Sequence, residues 1–404
     1  MLYDDHTSLV ACSLTCRAWL NRSRYHLHKS ITHNYDEDPR LPPDFYSSCV
    51  SDFVIELDLT LLPDPTEAFT IRQNRSRVLT ERDKRIEESV RNIWRTILRL
   101  THVRNLTLRR FECWRAKPLQ VALFSSAFSQ ITQLHLIKGF FLSRNHFSSF
   151  ISLFPDLTQL HISDVHWPDS TTAEDQAIVP WRGRNLRNLT LESFPGFDPH
   201  VVRDLAAWIS AIPDPSHALR NFQLSFSSGR DGTEQLPEIF RACGSSLKHL
   251  VIHLGFDSDF MQTSKQFSHR GSEEFTQIRI VEATNIHLLT ELESIRFRAL
   301  CLPPIIQLTD GDCAYVAHIL SQITSGTVLT VEFECASSDV EDLTKRLDFR
   351  AIDTSLCRSP FDSLKEIKFI FSPEQSPSRI NLDAILQKSL PKTHARSIVN
   401  LCFE

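Results

Sequence analysis

A chain of 404 residues, 41% hydrophobic and 23% charged, has the make-up of an ordinary globular protein. Its net charge of -5 gives no bulk attraction to nucleic acid or to an anionic membrane, and no run approaches the roughly 20 apolar residues of a membrane helix. The first ten residues, MLYDDHTSLV, carry acids where a secretory signal would be basic, and the 10 cysteines are scattered with no CxxC pair. Reduced cysteines in a cytoplasmic or nuclear setting are therefore expected.

In chain order, residues 6–20 read as a helix with Asp5 as its N-cap. Leu9, Cys12, Cys16 and Trp19/Leu20 form one apolar stripe, and Val10, Leu14 and Ala18 form a second. A helix apolar on two flanks needs cover from two directions. The basic turn Ser23 to Leu27 supplies one cover. The other comes either from the rest of the fold, making both stripes ordinary core, or from a partner. Lys29 to His33 then reads as a short strand. The run Ser8 to His33 resembles the second half of a fungal F-box, through Leu9, Cys12, Leu14, Cys16-Arg17-Ala18-Trp19-Leu20, Arg22-Ser23-Arg24 and Lys29-Ser30-Ile31.

That resemblance covers about the first 35 residues. It implies that residues 1–33 form a partial F-box docking the Skp adaptor, and through it a cullin, in an SCF-type ubiquitin ligase. Leu9, Cys12, Leu14, Cys16, Trp19 and Leu20 would face the adaptor. It further implies a degenerate leucine-rich-repeat-like region that holds an unknown substrate protein. The family's box opens with a leucine-proline helix, of which Met1 to Asp5 matches only the tail. Either the true start lies upstream or part of the docking surface is lost. In the second case the alternative is a repeat-based interaction scaffold that no longer docks the adaptor.

Residues 34–52 are acidic and proline-bearing and read as a linker or irregular cover. From residue 53 to 404 one phrase recurs, apolar-x-x-apolar-x-apolar. It is clearest at Val103 to Leu108, Leu186 to Leu191 and Leu219 to Leu224. Looser copies run Val54–Leu59, Ile131–Leu136, Leu157–Ile162, Leu247–Ile252, Leu292–Phe297, Val328–Phe333, Leu364–Phe369 and Ile398–Phe403. The last three residues of each alternate as a strand does.

Between the phrases lie stripes at helical spacing. Examples are Phe147/Phe150/Ile151/Phe154, Leu205/Trp208/Ile209, Leu236/Ile239/Phe240/Cys243, Val316/Leu320/Ile323 and Leu382/Ile385/Leu386. Proline at 199 opens one of these, at the first helical position. Strand then helix, one strand per unit, predicts an α/β leucine-rich-repeat-like solenoid of parallel strands with outer helices. The asparagine or cysteine that usually follows the strand phrase is missing, and residues 255–290 read as an insertion.

In each phrase the residues between and after the apolar pair point to the sheet's other face. The candidate binding row on that concave face is Arg109, His135, His161, Thr190, Gln223, His253, Arg296, Arg298, Glu332, Glu334 and Lys368. Thr107, Ile137, Ser163, Glu192, Ser225, Val251 and Ile370 share it. Such a face either binds a partner or is simply solvated. His135 and His161 fall on neighbouring strands, but no third ligand is specified, so no metal or other cofactor is expected.

Residues 70–118 hold 14 Lys/Arg against 5 Asp/Glu, either a solvated helix face or an acidic-partner surface. The absence of a base-stacking aromatic platform argues against nucleic acid. No phosphate-cradling glycine loop, G-x-S-x-G elbow or H-E-x-x-H motif is present, so no catalytic residue is assigned and the chain is not expected to be an enzyme.

Overall fold

The structure is a computed structural model. It describes residues 8–11, 23, 25–34, 54–60, 100–112, 129–141, 143–167, 185–193, 199–210, 219–227, 236–255, 285–300, 313–335, 343–345, 347–371 and 379–403. The chain divides into two compact units, Met1–Leu186 and Arg187–Glu404.

In the first unit, β1 (Ser30–Asn34), β2 (Glu56–Thr60), β3 (Asn105–Glu112), β4 (Gln133–Phe140) and β5 (Gln159–His166) pair in sequence order, all parallel. In-register pairing makes ladders out of the recurring apolar residues. Ile31, Leu57, Leu106, Leu134 and Leu160 share one level, and Leu59, Leu108, Leu136 and Ile162 share the next. All nine are buried. The array begins one strand earlier than the phrases suggest, because the short strand expected at Lys29 to His33 pairs in parallel with β2. Helix α1 (Arg144–Ile151) follows β4; the Ser143 hydroxyl accepts from the His146 N–H at its start. Phe147, Phe150 and Ile151 turn inward as their spacing predicts.

The second unit repeats the plan seven times. Strands β6 (Asn188–Ser193), β7 (Asn221–Ser227), β8 (His249–Gly255), β9 (Ser294–Leu300), β10 (Thr330–Cys335), β11 (Glu366–Phe371) and β12 (Val399–Phe403) are again parallel and in sequence order. Between them lie α2 (Pro199–Ser210), α3 (Leu236–Cys243), α4 (Ala314–Gln322), α5 (Phe349–Leu356), α6 (Arg379–Ser389) and α7 (Pro391–Ala395). Helix α2 packs on α3, α4 on α5, and α5 on α6 and α7. This is the α/β solenoid class that the repeated phrase predicts.

A ladder of phenylalanines runs through the later repeats. Phe297 stacks on Phe333 at 5.7 Å and Phe333 on Phe369 at 4.8 Å. Identical positions on adjacent strands sit close enough for ring stacking, which adds to simple area burial.

Within each unit the strand junctions as far as β11 share one device. A single carbonyl accepts from two successive N–H groups of the next strand: Arg104 O from Thr132 and Gln133, Arg187 O from Arg220 and Asn221, Arg220 O from Lys248 and His249. The donor–acceptor distances are 2.9–3.0 Å.

Three expectations need correction. The phrase Ile398 to Phe403 is read two residues out of register: Ile367 pairs with Val399, not Leu401, which pairs with Phe369. Val399 and Leu401 are themselves apolar, so either alignment satisfies the period of two. Second, strand alternation does not persist through β3, β4 and β5. Arg110, Lys138 and Asp164 occupy the same level on the three strands and all adopt left-handed backbone, with φ of 50, 53 and 52°. Third, α5 and α7 carry no expectation from the stripes, although Phe349, Ile352 and Leu356 face inward on α5.

The sequence also predicts a helix from Thr80 to about Leu100 and an apolar stripe at Val121, Phe124 and Phe128; both lie outside the described residues except for Leu100, which is buried. So does most of the insertion.

The left-handed residues re-aim the chain so that Phe111, Gly139 and Val165 point into the core. A Cβ on Gly139 would overlap the ring of Phe111, which is 4% exposed and lies edge-on to Phe141 at 5.5 Å. Gly139→Ala is therefore expected to lower the unfolding free energy by about 1–3 kcal/mol through overpacking. Adding Phe111→Leu should recover part of that loss in urea titrations. A second pin is buried Asp353 on α5, which accepts from the Thr393 N–H and hydroxyl, each at 2.9 Å, and from the Lys392 N–H at 3.2 Å. Asp353→Ala should cost roughly 1–3 kcal/mol by orphaning those donors, with Asp353→Asn milder, as read by thermal and urea unfolding.

Candidate functional site

The face of each sheet that lacks the apolar ladders carries the polar row, one residue per strand per level. In the first unit Asp58, Thr107, His135 and His161 share a level, and Thr60, Arg109, Ile137 and Ser163 the next. Arg109 Nε donates diagonally to both Asp58 carboxylate oxygens, at 2.9 and 3.1 Å. His135 and His161 stack nearly parallel, their ring centroids 5.1 Å apart. Ser163 is buried, unlike Arg109 and Ile137 beside it.

In the second unit Thr190, Gln223, Val251, Arg296, Glu332, Lys368 and Asn400 line up on seven successive strands. At the next level stand Glu192, Ser225, His253 and Arg298. A register shift between Phe333 and Cys335 then brings Glu334 within reach of two strand-β9 arginines at once. Glu334 Oε2 accepts from Arg296 Nη2 at 2.8 Å, Arg296 Nε at 3.1 Å and Arg298 Nε at 3.0 Å.

Lys368 Nζ bridges Glu332 at 3.2 Å and Glu366 at 3.3 Å, and these two hydrogen bonds raise its pKa above the ordinary lysine value. Asn400 extends the chain of contacts by donating to Glu366 at 2.9 Å. Ile370, expected in this row, is 5% exposed, so the polar face ends at Lys368 and Glu366 on β11. Each half-exposed pair contributes no more than about 1 kcal/mol. Their main effect is to hold long side chains in fixed positions.

His253 sits in this network with Nδ1 2.8 Å from the Ser225 hydroxyl. Burial pushes its pKa down, Arg298 pushes it further down, and Glu334 and Glu192 pull it back up. A cation beside the imidazole opposes the protonated state that a general base at Ser225 would have to reach. The Ser225–His253 contact thus fits a positioned polar surface better than a nucleophilic pair. Among the described residues no group of three or more His, Cys, Asp or Glu could hold a metal ion. The described cysteines 243, 335, 357 and 402 are free, and burial pushes the Cys243 thiol up to about 12. No helix among the described residues is long and apolar enough to cross a membrane.

Of the sequence-predicted binding residues, Arg109, His135 and His161 come together in the first unit. Thr190, Gln223, His253, Arg296, Arg298, Glu332, Glu334 and Lys368 come together in the second. Of the residues expected from the resemblance to face an adaptor, Leu9 is instead turned inward, 8% exposed within the helical turn 8–11. Cys12, Leu14, Cys16, Trp19 and Leu20 lie outside the described residues, as does most of the basic stretch 70–118. Sequence reading missed Asp58, Glu366 and Asn400, which complete the ion and hydrogen-bond pairs. It also missed the residues at the second position of each phrase, where the strands begin. Their signal was in plain view, as the repeated Arg-Asn of 104–105, 187–188 and 220–221.

By sequence, no protein-family model matches this chain and no curated protein matches it. Among solved structures, it is similar to a leucine-rich repeat-containing protein from Legionella pneumophila. That likeness has a TM-score of 0.34 and 12% identity, over 73% of this chain and 82% of that one. It is also similar to a leucine-rich repeat protein of Leptospira interrogans, with a TM-score of 0.26 and 11% identity, over 93% and 95%.

Because the folded-state pKa of His253 lies below its ordinary 6.5, the folded protein resists taking up that proton. Its contribution to stability is complete above about pH 6.5 and is lost as the pH falls from there through the folded-state value. Urea midpoints measured from about pH 7.5 to 5 should fall less steeply for His253→Gln than for the parent chain.

Proposed function

We propose that this chain recruits a target protein through the polar sheet face of its repeats, and that residues 1–33 dock the Skp adaptor of an SCF-type ubiquitin ligase. It has no catalytic part of its own in this reading; ubiquitin transfer belongs to the partner enzymes. The observation that supports adaptor docking most directly is Val10. In the helical turn 8–11 Leu9 is turned inward, while Val10 is 39% exposed, the one exposed large hydrophobic side chain among the described residues. Val10 heads the second apolar stripe, which continues in sequence through Leu14 and Ala18. A stripe of that kind on a helix whose other flank is inward is where a helical partner would pack. The resemblance of Ser8 to His33 to a fungal F-box says which partner to test.

The full chain should capture purified Skp adaptor in a pull-down, and Val10→Glu should abolish capture with no change in the thermal melt. Trp19→Ala should weaken capture as well. Its melt must be compared first, because removal of a tryptophan ring costs about 3–5 kcal/mol wherever the ring is part of a core. If the parent chain captures no adaptor, or Val10→Glu captures it as well as the parent, the ligase reading fails and a repeat-based interaction protein is left.

A further inference from the structure

Charges on these sheets come in opposite pairs across adjacent strands: Asp58 with Arg109, Glu334 with Arg296 and Arg298, Glu332 with Lys368, Glu293 with Lys248. Opposite charges side by side stabilise a sheet and like charges destabilise it. The entrance to strands β6–β8 breaks this rule. Arg220 stands between Arg187 on one neighbour and Lys248 on the other, and the shared-carbonyl bonds fix all three in register: Arg220 N–H to Arg187 O and Lys248 N–H to Arg220 O, both 2.9 Å.

The Arg187 and Arg220 side chains are exposed, and Lys248 is 41% exposed even while paired with Glu293. Two exposed arginines therefore rise from adjacent strands about 4.8 Å apart, and Lys248 beside them already pairs with Glu293. Glu293 on the fourth strand closes the row, its carboxyl held below the usual range by its hydrogen bond to Lys248 and by the charges of Lys248, His249 and Arg220. Like charges held at that spacing by backbone bonds carry a repulsive cost that an anionic partner would relieve.

We infer that the Arg187–Arg220–Lys248 ladder docks an acidic helix of a partner protein. The spacing selects the partner's form. Carboxylates at i, i+4 and i+8 on a helix recur about every 6 Å along its axis, nearer to the strand spacing of about 4.8 Å than either alternative. Same-face residues of an extended peptide recur about every 6.6 Å, and the charges of a nucleic-acid strand about every 3.4 Å along its axis. One level further along the strands, Asn221 donates to the Asn188 side-chain oxygen and His249 Nδ1 lies 2.8 Å from the Ser294 hydroxyl, which holds the polar groups beside the ladder in place. This inference rests on the reading that the repeats bind a protein, and it is independent of adaptor docking.

The test uses the full chain and three fluorescent probes read by anisotropy. One is a synthetic helical peptide with glutamates at i, i+4 and i+8 on one face. The second has the same composition with its glutamates spread around the helix. The third is an oligothymidylate of equal charge. The one-face peptide should bind best, weaken as salt rises, and lose about tenfold in affinity with Arg187→Gln/Arg220→Gln. Both residues are exposed, so the double variant should keep the parent's thermal melt and its adaptor capture, which separates this outcome from that of the ligase reading. Equal binding of the spread peptide, tighter binding of the oligothymidylate, or affinity indifferent to the double substitution would each overturn the assignment.

Discussion

At nine of the described strand junctions the two strands meet through one shared backbone carbonyl at the entrance, and that bond sets the register from which everything else follows. A parallel strand leaves its N–H and C=O groups unsatisfied until a neighbour arrives on each side. The carbonyls of Arg104, Arg187, Arg220, Lys248, Glu293 and Leu329 each receive two N–H groups from the following strand. Once that contact is made, the apolar ladder and the polar row fall into line without further adjustment. A single repeat offers only a few buried side chains, each giving about 1.5–3 kcal/mol. That is set against about 1–2 kcal/mol of backbone entropy for every residue ordered. Repeats are therefore stable only in a row, each burying its neighbour's flank.

Register also decides the chemistry of the open face. Glu334 reaches two arginines because the β9–β10 pairing shifts after Phe333, and Lys368 is shared by glutamates on two strands. These side chains hold one another in place at little net energetic gain, leaving a surface of fixed donors and acceptors. Spread along successive strands, such groups favour broad contact with another macromolecule over enclosure of a small reactant. The same rule of opposite pairs exposes its exception at Arg187 and Arg220, where backbone bonds force two guanidinium groups onto adjacent strands.

In the first unit the regular alternation is interrupted on purpose. Arg110, Lys138 and Asp164 each adopt a backbone conformation that costs an L-residue roughly 1–2 kcal/mol, and they do so at one level on three strands. The return is a shared inward turn that carries Phe111 over Gly139 and into the cluster of Phe141 and Phe150. The stacked arrangement explains why the only small residue at that level is the glycine. A side chain there would compete with the ring for the same space.

Much of this was legible in the residues. The spacing of Leu106, Leu134 and Leu160, and of Leu189, Phe222 and Leu250, depends on local periodicity alone, so the parallel arrays and their inward faces could be read directly. The helices around Phe147, Trp208, Phe240 and Leu320 were legible for the same reason. The candidate row on the open face followed from alternation, and most of it stands where alternation puts it. What alternation cannot carry is a choice between equivalent alignments. Val399 and Leu401 both satisfy a period of two, and only the hydrogen bonds to β11 select the first. Nor can it foresee a residue that leaves the pleat, as at Asp164, or a side chain such as Ile370 that neighbouring structure covers. Local pattern determined which residues face inward on each strand. Which residue stands beside which, and so which charges are neutralised and which are left facing outward, was decided only when the strands came together.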